Sequence, residues 1–214
     1  MAKVPNFSSK DFETCVAFHG HICPGLAIGF QAARALMERL GVERAGDEEL
    51  LSIVETDACG ADAIQVMTGC TFGKGNFMFR DYGKHAFTLA SRKHGKAVRV
   101  CLRPHALEAD PEHLCLLEKV QNGEASSEEV ARFRELHGKR AQKVLEAAPE
   151  SLFKVEEIPY DIPSKARISK SGTCDLCGEP TNIDLLREID GKKACIPCAR
   201  DRAFGSEGKS RDDP

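Results

Sequence analysis

The sequence predicts an α+β fold: a mixed β-sheet core flanked by helices, followed by a small C-terminal zinc finger. Three observations predict it. Apolar residues at helical spacing alternate with short β-branched runs, a stretch rich in proline and serine follows, and two Cys-x-x-Cys pairs come near the end. The implied boundaries are a core over residues 1–160, a linker over 161–172, and a four-cysteine finger with a polar tail over 173–214.

Segment 25–40 places Leu26, Phe30, Ala33, Met37 and Leu40 on one helical face, with Gly41 as a stop. Leu51–Val54 is a short apolar strand, and Ala61–Thr68 reads as a short helix. Residues 69–83 are glycine-rich and expected to be loop. AVRVCL, residues 97–102, alternates and is β-branched, as a strand does. Asp110 followed by Pro111 marks a helix start, and Ser126 with Glu129 forms a capping box for a long helix to about Ala148. Val130, Phe133, Leu136, Val144 and Leu145 give that helix a patchy apolar face. Ser151–Ile158 is the last strand-like run before the linker.

Thirty basic against thirty-three acidic residues give a net charge of −3, which offers no general footprint for nucleic acid or anionic membrane. No stretch approaches the roughly 18 apolar residues of a membrane span. The first residues, with Pro5 and scattered charges, lack the apolar core of a signal peptide. No membrane partner and a cytoplasmic setting are expected. In a reducing compartment ten cysteines are metal ligands, reactive thiols or core residues rather than disulfides.

Cys174 and Cys177 are separated by seventeen residues from Cys195 and Cys198. Each Cys-x-x-Cys turn lets two thiolates meet one ion at about 2.3 Å, and two turns close a tetrahedron. The expected cofactor is a structural Zn²⁺. Gly178 suits the first knuckle, Asp190-Gly191 is a hairpin turn, and Cys198 onward reads as a short helix, similar to treble-clef fingers. Lys165, Arg167, Lys170, Lys192, Lys193, Arg200 and Arg202 permit contact with nucleic acid, although no aromatic residues interleave for base stacking.

A second constellation is Phe18-His19-Gly20-His21-Ile22-Cys23-Pro24-Gly25, just before the first long helix. Cys59 lies at the next strand-to-helix junction, with Asp62 after it, and Cys70, Lys74 and Asn76 follow in the glycine-rich stretch. Imidazole and thiolate suit Zn²⁺ or another late transition metal. The chemistry assigns His21, Cys23, Cys59 and Cys70 as ligands of a second metal, and Lys74 as a cation facing an anionic ligand. The competing readings are small buried thiols at Cys23 and Cys59, and a metal-free thiol enzyme using a low-pKa Cys23 or Cys59 at a helix N-terminus. Cys15, Cys101 and Cys115 read as core packing.

FHGHICPGLAIG, ETDACGADAIQVMTGCTFGKGN and DYGKHAF together resemble the E-subunit family of formylmethanofuran dehydrogenase. The resemblance covers roughly residues 10–150, and some members carry a C-terminal zinc finger. It implies an α+β core, a metal site built by the histidine and cysteine motifs, and a homodimer. It also implies association with other subunits of a molybdenum or tungsten enzyme of one-carbon metabolism. The family motif points to His19, His21, Cys23, Cys59, Asp62, Cys70, Lys74 and Asn76, with His19, Asp62, Lys74 and Asn76 as cofactor-binding positions. The expected function is a metal-binding accessory protein in formyl or CO2 chemistry, whose own catalytic activity the resemblance leaves open. The alternative is a regulatory or adaptor protein whose finger docks a protein or nucleic acid.

Overall fold

The computed structural model describes residues 8–107, 110–165 and 169–203. The chain divides into two compact units, Met1–Ala166 and Arg167–Pro214. In the first unit the elements are α1 (Ser9–His19), α2 (Pro24–Leu40), β1 (Leu50–Val54), α3 (Gly60–Thr68), β2 (Phe77–Phe79), β3 (Ala86–Ser91), β4 (Lys96–Leu102), α4 (Pro111–Gln121), α5 (Ser127–Glu146), α6 (Pro149–Leu152) and β5 (Phe153–Ile158). The second unit contains β6 (Ser171–Thr173), β7 (Pro180–Asn182), β8 (Arg187–Ile189), β9 (Lys192–Ala194) and α7 (Ile196–Ala203). β6 starts inside the segment expected to be linker, because it pairs with β7 to frame the first knuckle.

The core sheet runs β2-β1-β3-β4-β5. β1 and β2 are parallel, joined through α3, and every other neighbour is antiparallel. A parallel pair requires such a crossover, so α3 must lie across the sheet rather than beyond it. Leu50, Val54, Phe87, Leu89, Val98, Val100 and Phe153 pack with α2 in the main core. On the other face Leu51, Ile53, Ala90 and Ala97 are covered by Tyr160 and Ile162 of the chain leaving β5.

Three elements escape the sequence pattern. α1 is amphipathic only weakly, with Phe12 and Cys15 as its buried residues. β2 is three residues long and lies within the glycine-rich stretch expected to be loop. β3 is buried along its whole length, so it shows no alternation to read. The start of the last strand also moves: Pro149 opens one turn of helix, and β5 begins at Phe153. The capping box is present, with Glu129 N donating to Ser126 Oγ at 3.2 Å and Ser126 N donating to Glu129 at 2.9 Å.

Two contacts position the N-terminal motif. Phe12 meets Phe30 edge-on with centroids 5.2 Å apart, docking α1 on α2. Gln31, fully buried, donates its amide to the carbonyls of Val144, Leu145 and Ala147 at 2.8–3.0 Å. That amide satisfies carbonyls at the end of α5 that the helix itself leaves open, and it fixes α5 against α2.

α2 and α3 approach each other backbone to backbone. A Cβ on Gly29 would lie 2.2 Å from the Gly60 carbonyl oxygen and 2.4 Å from its Cα. Gly25, one turn earlier, faces Cys59, where a Cβ would sit 3.2 Å from the Cys59 Cβ. Overpacking a core costs typically about 1–3 kcal/mol, and here the obstacle is backbone rather than a movable side chain. Gly29→Ala is therefore expected to lose about 3 kcal/mol or more, seen as a lower urea midpoint for the core transition with an unchanged slope. A midpoint equal to wild type would show that the helices can separate freely.

Candidate metal centres

In the second unit the four thiols of Cys174, Cys177, Cys195 and Cys198 gather with all sulfur atoms within 4.8 Å of one another. The hairpin β8–β9 turns at Asp190 and Gly191, both in the left-handed region (φ 52° and 72°), as a two-residue turn with right-handed strand twist requires. Asp175 braces the first knuckle: it accepts from Lys193 N at 2.6 Å and returns its own amide to the Lys193 carbonyl at 2.8 Å. Cys195 N donates to Cys174 Sγ at 3.2 Å. Backbone amides of Cys177 and Cys195 hold the Cys174 thiol down at about 6. Hydrogen bonding to the Cys195 and Cys177 thiols pushes Cys198 up to about 12. One thiolate is favoured while Cys177 and Cys198 resist ionisation, which is the situation a divalent cation relieves. Cys174, Cys195, Ala194 and Ala199, with Leu176, Ile189 and Cys198 against them, make up the small apolar cluster here, so metal must supply much of the folding energy.

The first unit brings together His19, His21 and Cys23, with one ligand atom from each again within 4.8 Å of the others. α1 ends at His19, and Gly20 at φ 95° reverses the chain in a left-handed cap. This turn brings the two imidazoles together, tilted by 38° with centroids 4.4 Å apart. Pro24 occupies the first helical turn of α2, so Cys23 is its N-cap, and Cys23 Sγ accepts from Leu26 N at 3.3 Å. Cys23 is buried and His21 exposed, so the cluster has a floor and an open rim.

Asp62, in the first turn of α3, lies 2.7 Å from His19 Nδ1. An ionised carboxylate can only accept, so a hydrogen sits on Nδ1, and in the neutral ring Nε2 keeps its lone pair. That Nε2 is 3.9 Å from Cys23 Sγ. A carboxylate behind the far nitrogen is the usual support of a metal-binding histidine. Cys59 stands at the N-cap position of α3 and lies against Cys23 across Gly25. Burial, then the Cys23 thiol, push Cys59 up to about 11. That corrects the expectation of a low-pKa thiol at Cys59: without a cation it stays protonated at neutral pH.

The remaining expected positions lie apart from this cluster. Cys70 is buried beside Ser52 and Thr68, and burial raises its pKa. Asn76 is buried and fully used: its amide donates to Asp47 and Leu50 carbonyls at 3.2 and 3.0 Å, and its oxygen accepts from Thr71 N at 3.0 Å. Both pin the glycine-rich segment to β1. Lys74 ends a single 3₁₀ turn, with Glu49 and Cys70 within its electrostatic reach. Cys15 is buried, but Cys101 is half-buried and Cys115 exposed, against the expectation that both are core. One residue the sequence did not flag belongs near the cluster. His137 on α5 is close enough to His21 for the latter's charge to oppose its protonation.

Residues 18–154 match the family model described as "FmdE, Molybdenum formylmethanofuran dehydrogenase operon". The chain belongs to the FmdE family. Residues 169–202 match the prokaryotic dksA/traR C4-type zinc finger, so the four-cysteine cluster is a zinc-finger site. A curated relative from Archaeoglobus fulgidus, described as a probable S-adenosyl-L-methionine-binding protein, is 37% identical over 189 residues. That match takes in 85% of this chain but 50% of the relative, so the chain spans about half of its length. The FmdE chain also aligns with the crystal structure of an FmdE-like protein of the tungsten formylmethanofuran dehydrogenase type from Syntrophus aciditrophicus. The TM-score is 0.60 at 24% identity, covering 92% of this chain and 95% of that one, a likeness of fold. Among the described residues no helix of the FmdE protein is long and apolar enough to cross a membrane.

Replacing Cys198 by serine is expected to remove one equivalent of zinc from the full chain and to unfold the finger, read by elemental analysis and limited proteolysis after β5. In the unaltered chain zinc is retained at pH 7 and lost on acidification as the thiolates take up protons, with Cys174, held lowest by backbone amides, the last to do so. Full zinc occupancy in the Cys198→Ser protein would contradict a four-thiolate site.

Proposed function

We propose that the FmdE core is a metal-binding accessory protein of molybdenum- or tungsten-dependent one-carbon chemistry, holding a transition metal, zinc first, on His19, His21 and Cys23. The observation that carries this is the convergence of those three donors, with Asp62 already locked onto the far side of His19. The donor set fits: two imidazoles and a thiol are borderline-soft ligands that suit Zn²⁺ and its neighbours. Such an ion would supply Lewis acidity towards a formyl- or carboxylate-type group.

The chain's own residues divide the work around it. Asp62 keeps His19 in one tautomer and orientation. Cys23, in the floor, is shielded from bulk water, while His21 stands at the rim where a ligand enters. Cys59 is the fourth donor within reach of Cys23. With three protein ligands one position stays open, and engaging Cys59 would close it. The same reading takes the protein as a cytoplasmic homodimer that meets other subunits of the enzyme. Phe18 and Ile22, both more than half exposed beside the two histidines, support a surface that is covered in an assembly.

The adaptor alternative rests on the finger. Its hairpin exposes Arg187, Lys192 and Lys193 together with Glu188 and Asp190, while Arg167 lies outside the described residues. Mixed signs suit a protein partner better than a phosphate backbone.

His21→Ala and Cys23→Ser are each expected to lose one equivalent of metal while the finger keeps its zinc. Asp62→Asn should retain the site but weaken it about 10–100-fold in chelator competition. Metal content unchanged in both ligand variants would refute the core site.

A further inference from the structure

The α4–α5 hairpin carries a second group of titratable side chains, which shares no residue with the metal-donor cluster. His113, in the first turn of α4, is only 4% exposed. Its ring stacks on Phe133 and on His137, with centroids 5.3 and 5.2 Å away. His113 Nε2 lies 2.9 Å from His137 Nδ1. The other nitrogen, Nδ1, is buried with no hydrogen-bond partner among the described residues. An unmatched polar atom in the interior is unfavourable unless something meets it there.

His113 also lines a cavity of about 420 Å³ between the hairpin and the chain leaving β4. Lys139, Arg140 and Lys143, which share one face of α5, line it too, opposite His105 and Asp110. Lys139 is also paired with Glu135. The Asp110 carboxylate is engaged by the Glu112 and His113 amides as the N-cap of α4, which turns its charge towards the helix. His105 holds φ 61°, a conformation that side-chain-bearing residues rarely adopt and that tends to be kept where function over-determines it. Positive groups and a helix start border this cavity, and the unmatched buried nitrogen belongs to one of its lining residues.

We propose that this cavity binds a small molecule bearing a carboxylate or phosphate group, with His113 Nδ1–H, Arg140 and Lys143 as its contacts. The tautomer follows from the dyad. Burial, then Arg140, hold His113 below the usual imidazole range, and burial, then His113 and His21, do the same for His137. Two neutral rings share one hydrogen. An anion in the cavity selects Nδ1–H on His113, so Nε2 accepts from His137 Nδ1–H and His137 is left with a bare Nε2. Occupancy of the cavity thus sets the tautomer of the histidine next to His21. Anion binding itself requires no metal at the cluster.

The test is a titration of the full-length chain with sodium phosphate, and separately with sodium formate, at constant ionic strength. Imidazole nitrogens are followed by long-range ¹H–¹⁵N correlation. A saturable shift of His113 Nδ1 towards the protonated position is expected with at least one anion, and which anion acts assigns the class. Lys143→Gln should weaken the response about tenfold. Followed at the ring nitrogens of His137, which both variants retain, the response should persist in His113→Asn, whose amide can occupy the place of Nδ1–H, and be lost in His113→Phe. Should His113→Phe fail to fold, Lys143→Gln, at an exposed position, still decides. His21→Ala should leave the titration unchanged, which separates this site from the metal reading. No saturable shift with either anion below about 10 mM, or an undiminished one in Lys143→Gln, would overturn the proposal.

Discussion

The core is organised around a helix crossing made by glycines. Gly29 of α2 and Gly60 of α3 meet backbone to backbone, closer than any side chain would allow. Everything chemically active is arranged from that crossing. It draws the starts of α2 and α3 together, with Cys23 capping the first and Cys59 standing at the N-cap position of the second. It also brings Asp62 within reach of His19, which arrives from the opposite direction at the end of α1. A side chain at Gly29 would push Cys59 and Asp62 of α3 away from Cys23 on α2 and from the two histidines before it. The apolar core around Phe30, Leu36 and Phe87 stabilises this geometry but does not by itself specify it.

The two sulfur-containing clusters illustrate different solutions to the same electrostatic difficulty. In the finger four thiols converge with amides aimed at the sulfur, and all four positions of a tetrahedron are spoken for. In the core the donors are mixed, one is buried, one is exposed, and a carboxylate braces a histidine from behind. The first arrangement is closed and suits a structural ion. The second is supported on one side and accessible on the other, as exchange or ligand binding demands.

Much of this was legible in the sequence, and what was not has physical reasons. The Cys-x-x-Cys pairs and the His-x-His-x-Cys run are local, so spacing alone announced them. Cys70 and Asn76 lie among the same glycines and look equally active, yet their surroundings make them fasteners for β1: only contacts distinguish the two roles. Gln31 carries no motif, and its importance comes from carbonyls more than a hundred residues away. His113 and His137 are twenty-four residues apart on separate helices, and nothing in the spacing announces that they pair. β3 was hidden because burial on both faces removes the alternation that identifies a strand.

The attachment of α5 has a dynamic consequence. Along α4 and α5 few residues are fully buried, with Leu116, Ala141 and Val144 the apolar ones, and a single amide from Gln31 holds the far end. A segment with so little apolar anchorage opens at lower free energy than the sheet behind it. Its excursions would carry the paired histidines away from the metal-donor cluster while the crossing of α2 and α3 stays intact. The ring next to His21 is therefore mounted on a helix pair with few buried apolar residues, whereas Cys23 starts the deeply buried α2.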